Sequence, residues 1–464
     1  MTARITRRQF IKQAAVATSG LVIAACAAPS TPPGPAPTSA PQATAVPATA
    51  VPSVKTTLKW WSHWAEEDNK KQVLMAAAKK FQEANPGVEV EFTWWQKAEM
   101  FPALRNAFTA GKGFPDVFYF DRGVLEFIPA GWMVDLTNAI DWKEVEPWAK
   151  QPYTRPGPGG KTGVWALALE AGTDEIYINK DIFDKVGVKI PTNFQFTADE
   201  FYDVCKKIRA AGFDPFANAI GDSSIMGSYL NQFALASQLG AEDLAKLYSG
   251  GKSWKDADVQ TALAYVKKII DIPAYPATYA TMKLAESHVY FHTQRKAAMF
   301  LVGAWYTGRA FVLPEKGGQP KDFYAKLGML KYPALPNGKG HNVHLSLVAG
   351  AVAVAEQSTN KQLALKLVQT IATTEIGTLW VEKTAVPTGI KTKPEISGEF
   401  KSYFDEMSKA HQGQTLAPII HTLMMPPKLL EVYTSVLCEG LPLGQIKLED
   451  AITKLETARE GLPK

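Results

Sequence analysis

The chain has 464 residues, three cysteines and a formal net charge of +5. Four positive side chains and no acidic ones lie in the first 25 residues, so the rest of the chain has a net charge of +1. A nearly neutral body excludes an electrostatic argument for nucleic acid or an anionic membrane as partner, and three cysteines exclude a disulfide scaffold.

The first predicted element is an export signal over residues 1–25. Its apolar stretch covers about a dozen residues, whereas a helix that spans a bilayer needs roughly 20. Residues 6–12, TRRQFIK, resemble the twin-arginine export motif, which predicts export of the folded protein. Residues 23–26, IAAC, resemble a lipobox, which predicts removal of the signal and lipid attachment at Cys26. A short membrane anchor that is left uncut remains the alternative interpretation.

The second predicted element is a linker over residues 26–53, which has no charged side chain and is rich in proline, alanine, serine and threonine. Such a composition has no apolar periodicity for a core and favours an extended, semi-rigid chain. We therefore predict a lipid-anchored linker on the outer face of the bacterial cytoplasmic membrane. About 410 residues follow it, which is enough for two domains.

Strands and helices alternate in the next part of the chain. LKWWSHW (58–64) predicts a strand that runs into an aromatic loop, and the amphipathic helix that follows ends at Asn85-Pro86-Gly87. VEVEFTWW predicts a second strand, MFPALRNAFTAG a second helix and PDVFYF a third strand. This order predicts βαβ units and a largely parallel sheet, so the predicted fold class is α/β.

Ligands of such sheets bind at the carboxyl ends of the strands, so the residues just beyond the strands are candidate contacts. These candidates are Trp61, Ser62, His63 and Trp64 after the first strand, and Asp121 after the third. Flat rings suit the faces of a sugar, and a neutral imidazole or a carboxylate can hold its hydroxyls. Because side chains alternate along a strand, we expect either Trp60 or Trp61 to lie in the core. A helix cap is the alternative role of Asp121.

A capped helix is predicted from about residue 197. Thr197 and Glu200 have the spacing of a capping box at the helix start. Within this helix, Cys205 lies on the apolar face and is predicted to be a small buried side chain. The sequence leaves open whether Cys205 and Cys438 form a disulfide.

Several stretches, taken in order, resemble the solute-binding lipoproteins of bacterial ABC importers, in the extracellular family that includes maltose-binding protein. They are WWSHW, ANPGVEVEF, PDVFYFDRGVLEFIPAGWMVDLT, GVWALALEAGTDEIYINKDIFDKVGVKIPT, RKAAMFLVGAWYTG, YPALPNGKG and EKTAVPTGI. The resemblance implies the two-lobed periplasmic-binding-protein fold, in which crossing strands join two α/β lobes that close on a ligand. It also implies a sugar ligand, a membrane permease as partner, a monomer, no cofactor and no catalytic activity.

The resemblance also implies lobe boundaries. Lobe one is expected at 54–166 and 334–372, lobe two at 167–333 and 373–464, and the crossings near 166–168 and 332–334. The ligand cleft would then lie between the two lobes.

The same resemblance assigns ligand contacts in this cleft. The segment after the first crossing supplies acidic and small polar groups in the family, which here are Glu170, Thr173 and Asp174. Trp305 in GAWYTG matches the position at which a ring stacks on the sugar, with Tyr306 beside it. The remaining polar candidates are Tyr229 and His344.

One histidine pair has a spacing that raises the question of a metal. His341 and His344 form an HxxH pattern, but no carboxylate or cysteine lies near them in the sequence. Two histidines alone are a weak zinc signal. We therefore predict no metal site and expect His344 to form hydrogen bonds in the cleft.

Two alternative functions remain open. The same fold could bind a non-sugar solute such as a polyamine, a phosphodiester or an iron complex. A cationic ligand would need more carboxylates than the sequence places in the cleft, and a phosphate ligand would need more arginines than Arg122. An exported glycoside hydrolase would need two carboxylates at a set separation, for which Asp121 and Glu170 are the candidates. The sequence has no nucleophile elbow, dinucleotide-binding fingerprint or P-loop, and binding without reaction is the predicted function.

Overall fold

The computed structural model of the protein describes residues 55–120, 124–395 and 398–463. The predicted export signal, the linker, the lipidation site Cys26 and the candidate contact Asp121 lie outside the described residues. None of the helices in the described ranges has the length and apolarity that a membrane crossing requires.

Most strands belong to one mixed sheet, whose order is β2-β1-β3-β10-β6-β8-β7, with β9 beside β6 and β11 beside β10. The strands are β1 (Thr56–Ser62), β2 (Val88–Trp94), β3 (Val117–Phe120), β4 (Thr154–Pro156), β5 (Thr162–Val164), β6 (Leu167–Asn179), β7 (Asp214–Phe216), β8 (Ala297–Gly303), β9 (Leu327–Leu330), β10 (Val343–Val354) and β11 (Thr415–Ala417). The parallel pairing of β1 with β2 and β3 confirms the predicted βαβ units. In contrast, β10 is antiparallel to both β3 and β6, and β4 and β5 form a separate hairpin.

The helices cover the sheet and form much of the second half of the chain. They are α1 (Asp68–Ala84), α2 (Lys97–Ala110), α3 (Val124–Phe127), α4 (Pro147–Lys150), α5 (Lys180–Lys185), α6 (Ala198–Ala210), α7 (Tyr229–Tyr248), α8 (Ala257–Ile270), α9 (Leu284–His292), α10 (Thr307–Ala310), α11 (Lys361–Ile371), α12 (Thr374–Thr384), α13 (Lys401–His411), α14 (His421–Met424), α15 (Pro427–Tyr433) and α16 (Leu448–Glu460). A π-helical segment, Thr434–Gly440, follows α15.

Two hydrophobic cores divide the described chain into two lobes. The first core contains side chains of β1, β3, α1, α11 and α12, and the second contains side chains of β8, β9, α6, α7, α8 and the C-terminal helices. Two strands contribute to both cores: β6 enters the second core at Ile176, and β10 enters the first at Val348. We call the segments around the two cores the first and second lobes, and β6 and β10 the connecting strands.

The lobe boundaries predicted from the sequence stay a prediction. They assign Leu169 and Trp380 to lobe two, whereas both side chains pack in the first core. The connecting strand β10 also begins at Val343, later in the chain than the crossing predicted near residues 332–334. The chain therefore returns to the first lobe through β10 and stays there through α12.

Several local predictions agree with the structure. Trp60 is completely buried and Trp61 is half-buried, as alternation along β1 requires. At the start of α6, Thr197 Oγ1 accepts a hydrogen bond from the Glu200 amide, and Glu200 Oε2 accepts one from the Thr197 amide, which confirms the capping box. Cys205 is buried as predicted, and both Cys205 and Cys438 are free thiols.

Candidate functional site

Trp305 lies where the two lobes meet. It follows β8 in a short turn, and its half-buried ring packs against residues of both hydrophobic cores. The ring centroid of His288 lies 5.9 Å from that of Trp305 on the second-lobe side. A large ring that contacts both cores and keeps part of its surface accessible is well placed to contact a ligand held between the lobes.

Polar contacts join the start of α1 in the first lobe to the region of α10 in the second. Arg309 Nε lies 3.1 Å from Glu67 Oε1, and the Asn69 side-chain amide donates to the Gly308 carbonyl at 3.1 Å. A further ion pair joins Lys316 to Asp68. These contacts join the two lobes directly.

Glu67 is ionised in this arrangement in spite of its burial. Burial alone would raise the pKa of its carboxyl group, but the positive charges of Arg309 and Lys70, with a contribution from His63, lower that pKa below its ordinary value. The contact between the lobes therefore includes a buried carboxylate that is neutralised from both lobes.

Glu170, on β6, is held by two partners from the first lobe. Lys70 Nζ forms an ion pair with Glu170 Oε1, and the Tyr119 hydroxyl donates to Glu170 Oε2 at 2.5 Å. Gly350 makes room for this tyrosine, because a Cβ atom at that position would lie 1.9 Å from the Tyr119 hydroxyl oxygen. Both carboxylate oxygens of Glu170 thus have protein partners.

Asp174 differs from Glu170 because one of its oxygens is unpaired. The side chain is buried, and its Oδ1 atom has no hydrogen-bond partner among the described residues. Burial, with a smaller effect of the Glu175 charge, raises the pKa of Asp174 well above its ordinary value. A buried carboxyl group with an unpaired oxygen can exchange hydrogen bonds with a hydroxyl that enters the site.

Tyr229 connects Asp174 to Trp305. Its hydroxyl accepts a hydrogen bond from the Gly303 amide at 3.2 Å, and Gly303 is the register partner of Asp174 across β6 and β8. Burial is the main cause that raises the pKa of Tyr229, and the Asp174 charge adds to it. Asp174, Tyr229 and Trp305 therefore form one group on the second-lobe side of the cleft.

The aromatic loop after β1 forms the opposite side. Trp64 is completely buried and packs on Tyr119, with ring centroids 4.2 Å apart. Trp61 is only half-buried, and its ring lies 4.9 Å from that of Trp95. The structure thus places Trp64 in the first core, together with the buried side chains of Ser62 and His63, and leaves Trp61 the most accessible of the four predicted residues.

Three other predicted contacts lie in different surroundings. Tyr306 is part of the second core, and its hydroxyl shares a hydrogen bond of 2.9 Å with Nδ1 of His292. Thr173 donates a hydrogen bond to Glu175, and His344 Nε2 lies 3.3 Å from the same carboxylate. The structure does not bring these three side chains to Asp174 and Trp305.

The two faces of β6 explain this division. Side chains alternate along a strand, so Glu170 and Asp174 share one face with Gly172, whereas Thr173 and Glu175 share the other. A Cβ atom at Gly172 would lie 3.0 Å from the Ala304 side chain, which confirms that this face meets the loop of Trp305. We call it the cleft face of β6 and the opposite one the back face.

Sequence reasoning missed four residues of the site: Glu67, Lys70, Tyr119 and Arg309. Tyr119 could have been found from the sequence. It lies next to the carboxyl end of β3, where ligands of such sheets bind, and alternation along the strand gives the face of its side chain. Lys70 and Glu170 are 100 residues apart in the chain, and no local pattern indicates that they pair. Two open surface pockets, of about 630 and 660 Å³, are lined by segments around residues 444–454 and 278–294 and contain none of the predicted contacts.

Comparisons with known proteins agree with this architecture. A multiple sugar-binding protein of Streptococcus mutans is 23% identical over 347 residues, which are 73% of this chain and 76% of the relative. A solved chitin oligosaccharide binding protein is 19% identical, with a TM-score of 0.74 over 88% of this chain and 98% of that one. A sugar transporter of Bacillus licheniformis, solved in complex with stachyose, is 18% identical, with a TM-score of 0.64 over 87% and 98%.

The structural similarity confirms the predicted two-lobed α/β fold. The family model of bacterial extracellular solute-binding proteins matches residues 64–378, a range that includes β2 to β10 and therefore both connecting strands. The protein therefore belongs to the family of bacterial extracellular solute-binding proteins.

Proposed function

We propose that the protein is the extracytoplasmic solute-binding component of an ABC importer, which captures a mono- or oligosaccharide between its lobes and delivers it to a permease. The observation that carries this proposal is the position of Trp305 between the two cores, beside a buried Asp174 with an unpaired oxygen. Relatives whose names refer to multiple sugars, chitin oligosaccharide and stachyose support a carbohydrate as the ligand.

The chemistry of the cleft favours a neutral polyhydroxylated ligand. An aromatic ring gains from contact with the apolar face of a sugar, and the carboxyl group of Asp174 and the hydroxyl of Tyr229 can hold its hydroxyls. The charged side chains named in the cleft are already paired with one another: Lys70 with Glu170, and Arg309 with Glu67. A phosphodiester or a polyamine would have to break these pairs, which disfavours both alternatives.

Catalysis is not part of the proposal. The carboxylate of Glu170 is engaged by Lys70 and Tyr119. Its candidate partner in a hydrolase, Asp121, lies outside the described residues. We infer that the protein does not alter its bound sugar chemically. Release of a reducing end from any glycoside in a test panel would contradict this inference.

The site of action follows from the N-terminal segment. The twin-arginine and lipobox patterns support export of the folded chain and a lipid on Cys26, so that the uncharged linker holds a monomeric binding protein near its permease. Two variants test this: Arg7→Lys with Arg8→Lys should stop export, and Cys26→Ser should release the exported protein from membranes. Normal export of the first variant, or membrane retention of the second, would overturn the corresponding part of the proposal.

A ligand panel tests the proposed function. The protein is purified, and any ligand that accompanies it is identified by mass spectrometry before and after mild denaturation and refolding. Thermal unfolding is then measured with mono- and oligosaccharides, a polyamine, a phosphodiester and an iron complex. A ligand present at 100 times its dissociation constant stabilises the folded protein by about 2.7 kcal/mol, which a thermal shift detects. Stabilisation by a non-sugar alone would refute the carbohydrate assignment.

A further inference from the structure

Three side chains from distant parts of the sequence meet on the back face of β6. Glu175 lies on β6, His344 on β10 and His411 at the end of α13. Their candidate ligand atoms all lie within 4.8 Å of one another. Glu175 and His344 are buried, whereas 21% of the His411 side chain is exposed. The group is therefore enclosed by protein and open to solvent at one edge.

Two distances in this group are close to those between neighbouring ligands around one metal ion. Nε2 of His344 and Nε2 of His411 lie 3.3 and 2.9 Å from the same atom, Oε1 of Glu175. In a tetrahedral zinc site with bonds of about 2.0–2.1 Å, adjacent ligand atoms are about 3.3 Å apart. Both nitrogen–oxygen distances are close to this value, so an ion could be bound with small adjustments of the side chains.

The types of ligand define the class of ion. Two imidazole nitrogens and one carboxylate oxygen suit Zn²⁺ and similar divalent transition metals, whereas Mg²⁺ and Ca²⁺ prefer oxygen ligands alone. We propose that Glu175, His344 and His411 form a site for a divalent transition-metal ion such as Zn²⁺, with water from the exposed edge of His411 as a further ligand. The side chain of Thr173, which donates a hydrogen bond to Glu175, would orient the carboxylate.

This site revises the expectation drawn from the HxxH pattern. His341, the other histidine of that pattern, has its Nε2 atom 2.6 Å from the Leu335 carbonyl oxygen and is not part of the group. The carboxylate that the pattern lacked comes from β6, 169 residues from His344, and the second histidine comes from α13, 236 residues from Glu175.

Two features reduce the expected affinity. Nδ1 of His344 is buried without a hydrogen-bond partner among the described residues, and outer partners of this kind change metal affinity by roughly 10–100-fold. The charge of Lys331 acts on both histidines and opposes a cation. We therefore expect a dissociation constant for Zn²⁺ in the micromolar range rather than the nanomolar range.

Metal binding at this position would join three elements. An ion held by Glu175, His344 and His411 would attach α13 to β6 and β10, the strands that connect the lobes. The site is separate from the cleft face of β6 and does not depend on the nature of the proposed ligand. Zn²⁺ should consequently raise the unfolding temperature of the protein with or without sugar.

Calorimetry with Zn²⁺ tests the proposal on the full chain after treatment with a chelator and dialysis. We expect one equivalent of Zn²⁺ to bind, and Mg²⁺ to give no saturable signal. His411→Asn keeps a polar side chain at this partly exposed position and should weaken Zn²⁺ binding at least about 100-fold, since it removes a direct ligand. His341→Ala is the matched control, because it removes a half-buried histidine that lies outside the group, and it should bind Zn²⁺ as the unchanged protein does.

X-ray absorption of the zinc-loaded, unchanged protein gives a second test that does not depend on the folding of a variant. Two imidazole nitrogens and low-atomic-number oxygen ligands around zinc support the site. The proposal is wrong if the unchanged protein binds no Zn²⁺, if His411→Asn binds it as tightly, or if the spectrum indicates cysteine sulfur or a single imidazole. Equal loss of binding in His341→Ala would also overturn it, since the ion would then lie elsewhere.

Discussion

The buried carboxyl groups on the two faces of β6 have different surroundings. On the cleft face, Glu170 is neutralised by Lys70 of the first lobe, and Asp174 keeps an unpaired oxygen. On the back face, Oε1 of Glu175 contacts two histidines and a threonine hydroxyl, while its Oε2 atom has no partner among the described residues. One strand thus carries a carboxylate that is paired within the first lobe, a carboxyl group with an unpaired oxygen, and a carboxylate that contacts two histidines.

The difference shows why the composition of a connecting strand is informative. Burying a charge without a partner costs several kcal/mol. A buried carboxyl group with an unpaired oxygen, such as that of Asp174, therefore lowers the stability of the folded protein. Groups with complete sets of partners, such as Glu170, have a structural explanation in the protein itself. The unpaired group is therefore the better indicator of ligand contact.

The largest effect is expected when the pair on the cleft face is broken. Lys70→Met leaves Glu170 as a buried charge without its ion-pair partner, and should lower the free energy of unfolding by about 3–5 kcal/mol. The side chains of Lys70 and Glu170 are 3% and 4% exposed. Urea unfolding of the sugar-free protein measures the change.

A second lysine on the same helix is the control for this prediction. Lys80 pairs with Glu375, and their side chains are 46% and 67% exposed. Lys80→Met should change the free energy of unfolding by no more than about 1 kcal/mol, because exposed ion pairs contribute little. Equal effects of the two substitutions would show that burial does not distinguish the pairs.

Neighbouring residues on the two faces of β6 should respond to neutral substitutions with opposite signs. Glu175→Gln removes the charge that both histidines contact, and should lower the free energy of unfolding by about 2–3 kcal/mol in the presence of a chelator. Asp174→Asn removes a carboxyl group whose pKa is raised by burial, and should increase that free energy by about 1 kcal/mol. Urea unfolding at neutral pH compares the two variants.

Sugar binding completes this comparison. Asp174→Asn should weaken binding although it stabilises the protein, which is the pattern expected of a group kept for its function. If Asp174→Asn destabilised the protein and left sugar affinity unchanged, Asp174 would have a structural role, and the cleft face would lose its proposed hydrogen-bonding group.

Trp305→Ala tests the ring between the two cores. Loss of a stacking ring from a site closed to solvent should weaken sugar binding at least about tenfold, or about 1.4 kcal/mol. Trp142→Ala is the control, because Trp142 is also half-buried and contacts Thr137 and Lys150 rather than the cleft. Calorimetry with the best sugar of the panel measures both variants, and equal affinities would remove Trp305 from the site.

The sequence predicts the elements of the fold better than their long-range contacts. Alternation identifies one of Trp60 and Trp61 as a core residue, and the spacing of Thr197 and Glu200 identifies a helix start, because both patterns depend on neighbours in the chain. No local pattern marks the start of the second connecting strand, because a buried strand such as β10 has no alternation that shows where it passes from one core to the other.

The site is predicted only in part for the same reason. Trp305 and Asp174 follow from the resemblance to a known family, and the structure brings them together through Tyr229 and Gly303. His344 was assigned to the cleft, but its face of β10 is set by the register with β6, which no local pattern fixes. The partner of His344 on α13 likewise depends on tertiary packing.

The smallest effect is expected from the ion pair between the lobes, and its pH dependence separates that pair from the others. Glu67 has a pKa below its ordinary value of 4.5 in the folded protein, because Arg309 and Lys70 outweigh the opposing effect of burial. A carboxyl group with a lowered pKa stabilises the fold above its unfolded pKa, and this contribution is lost as the pH falls through the folded pKa. Glu67→Gln should therefore lower the unfolding temperature at neutral pH, by a free energy of about 1 kcal/mol, and the difference from the unchanged protein should shrink only below pH 4.5. A difference that disappeared near pH 6.5 would instead assign the effect to His63, and the ionised carboxylate would not be what holds the start of α1 against Arg309.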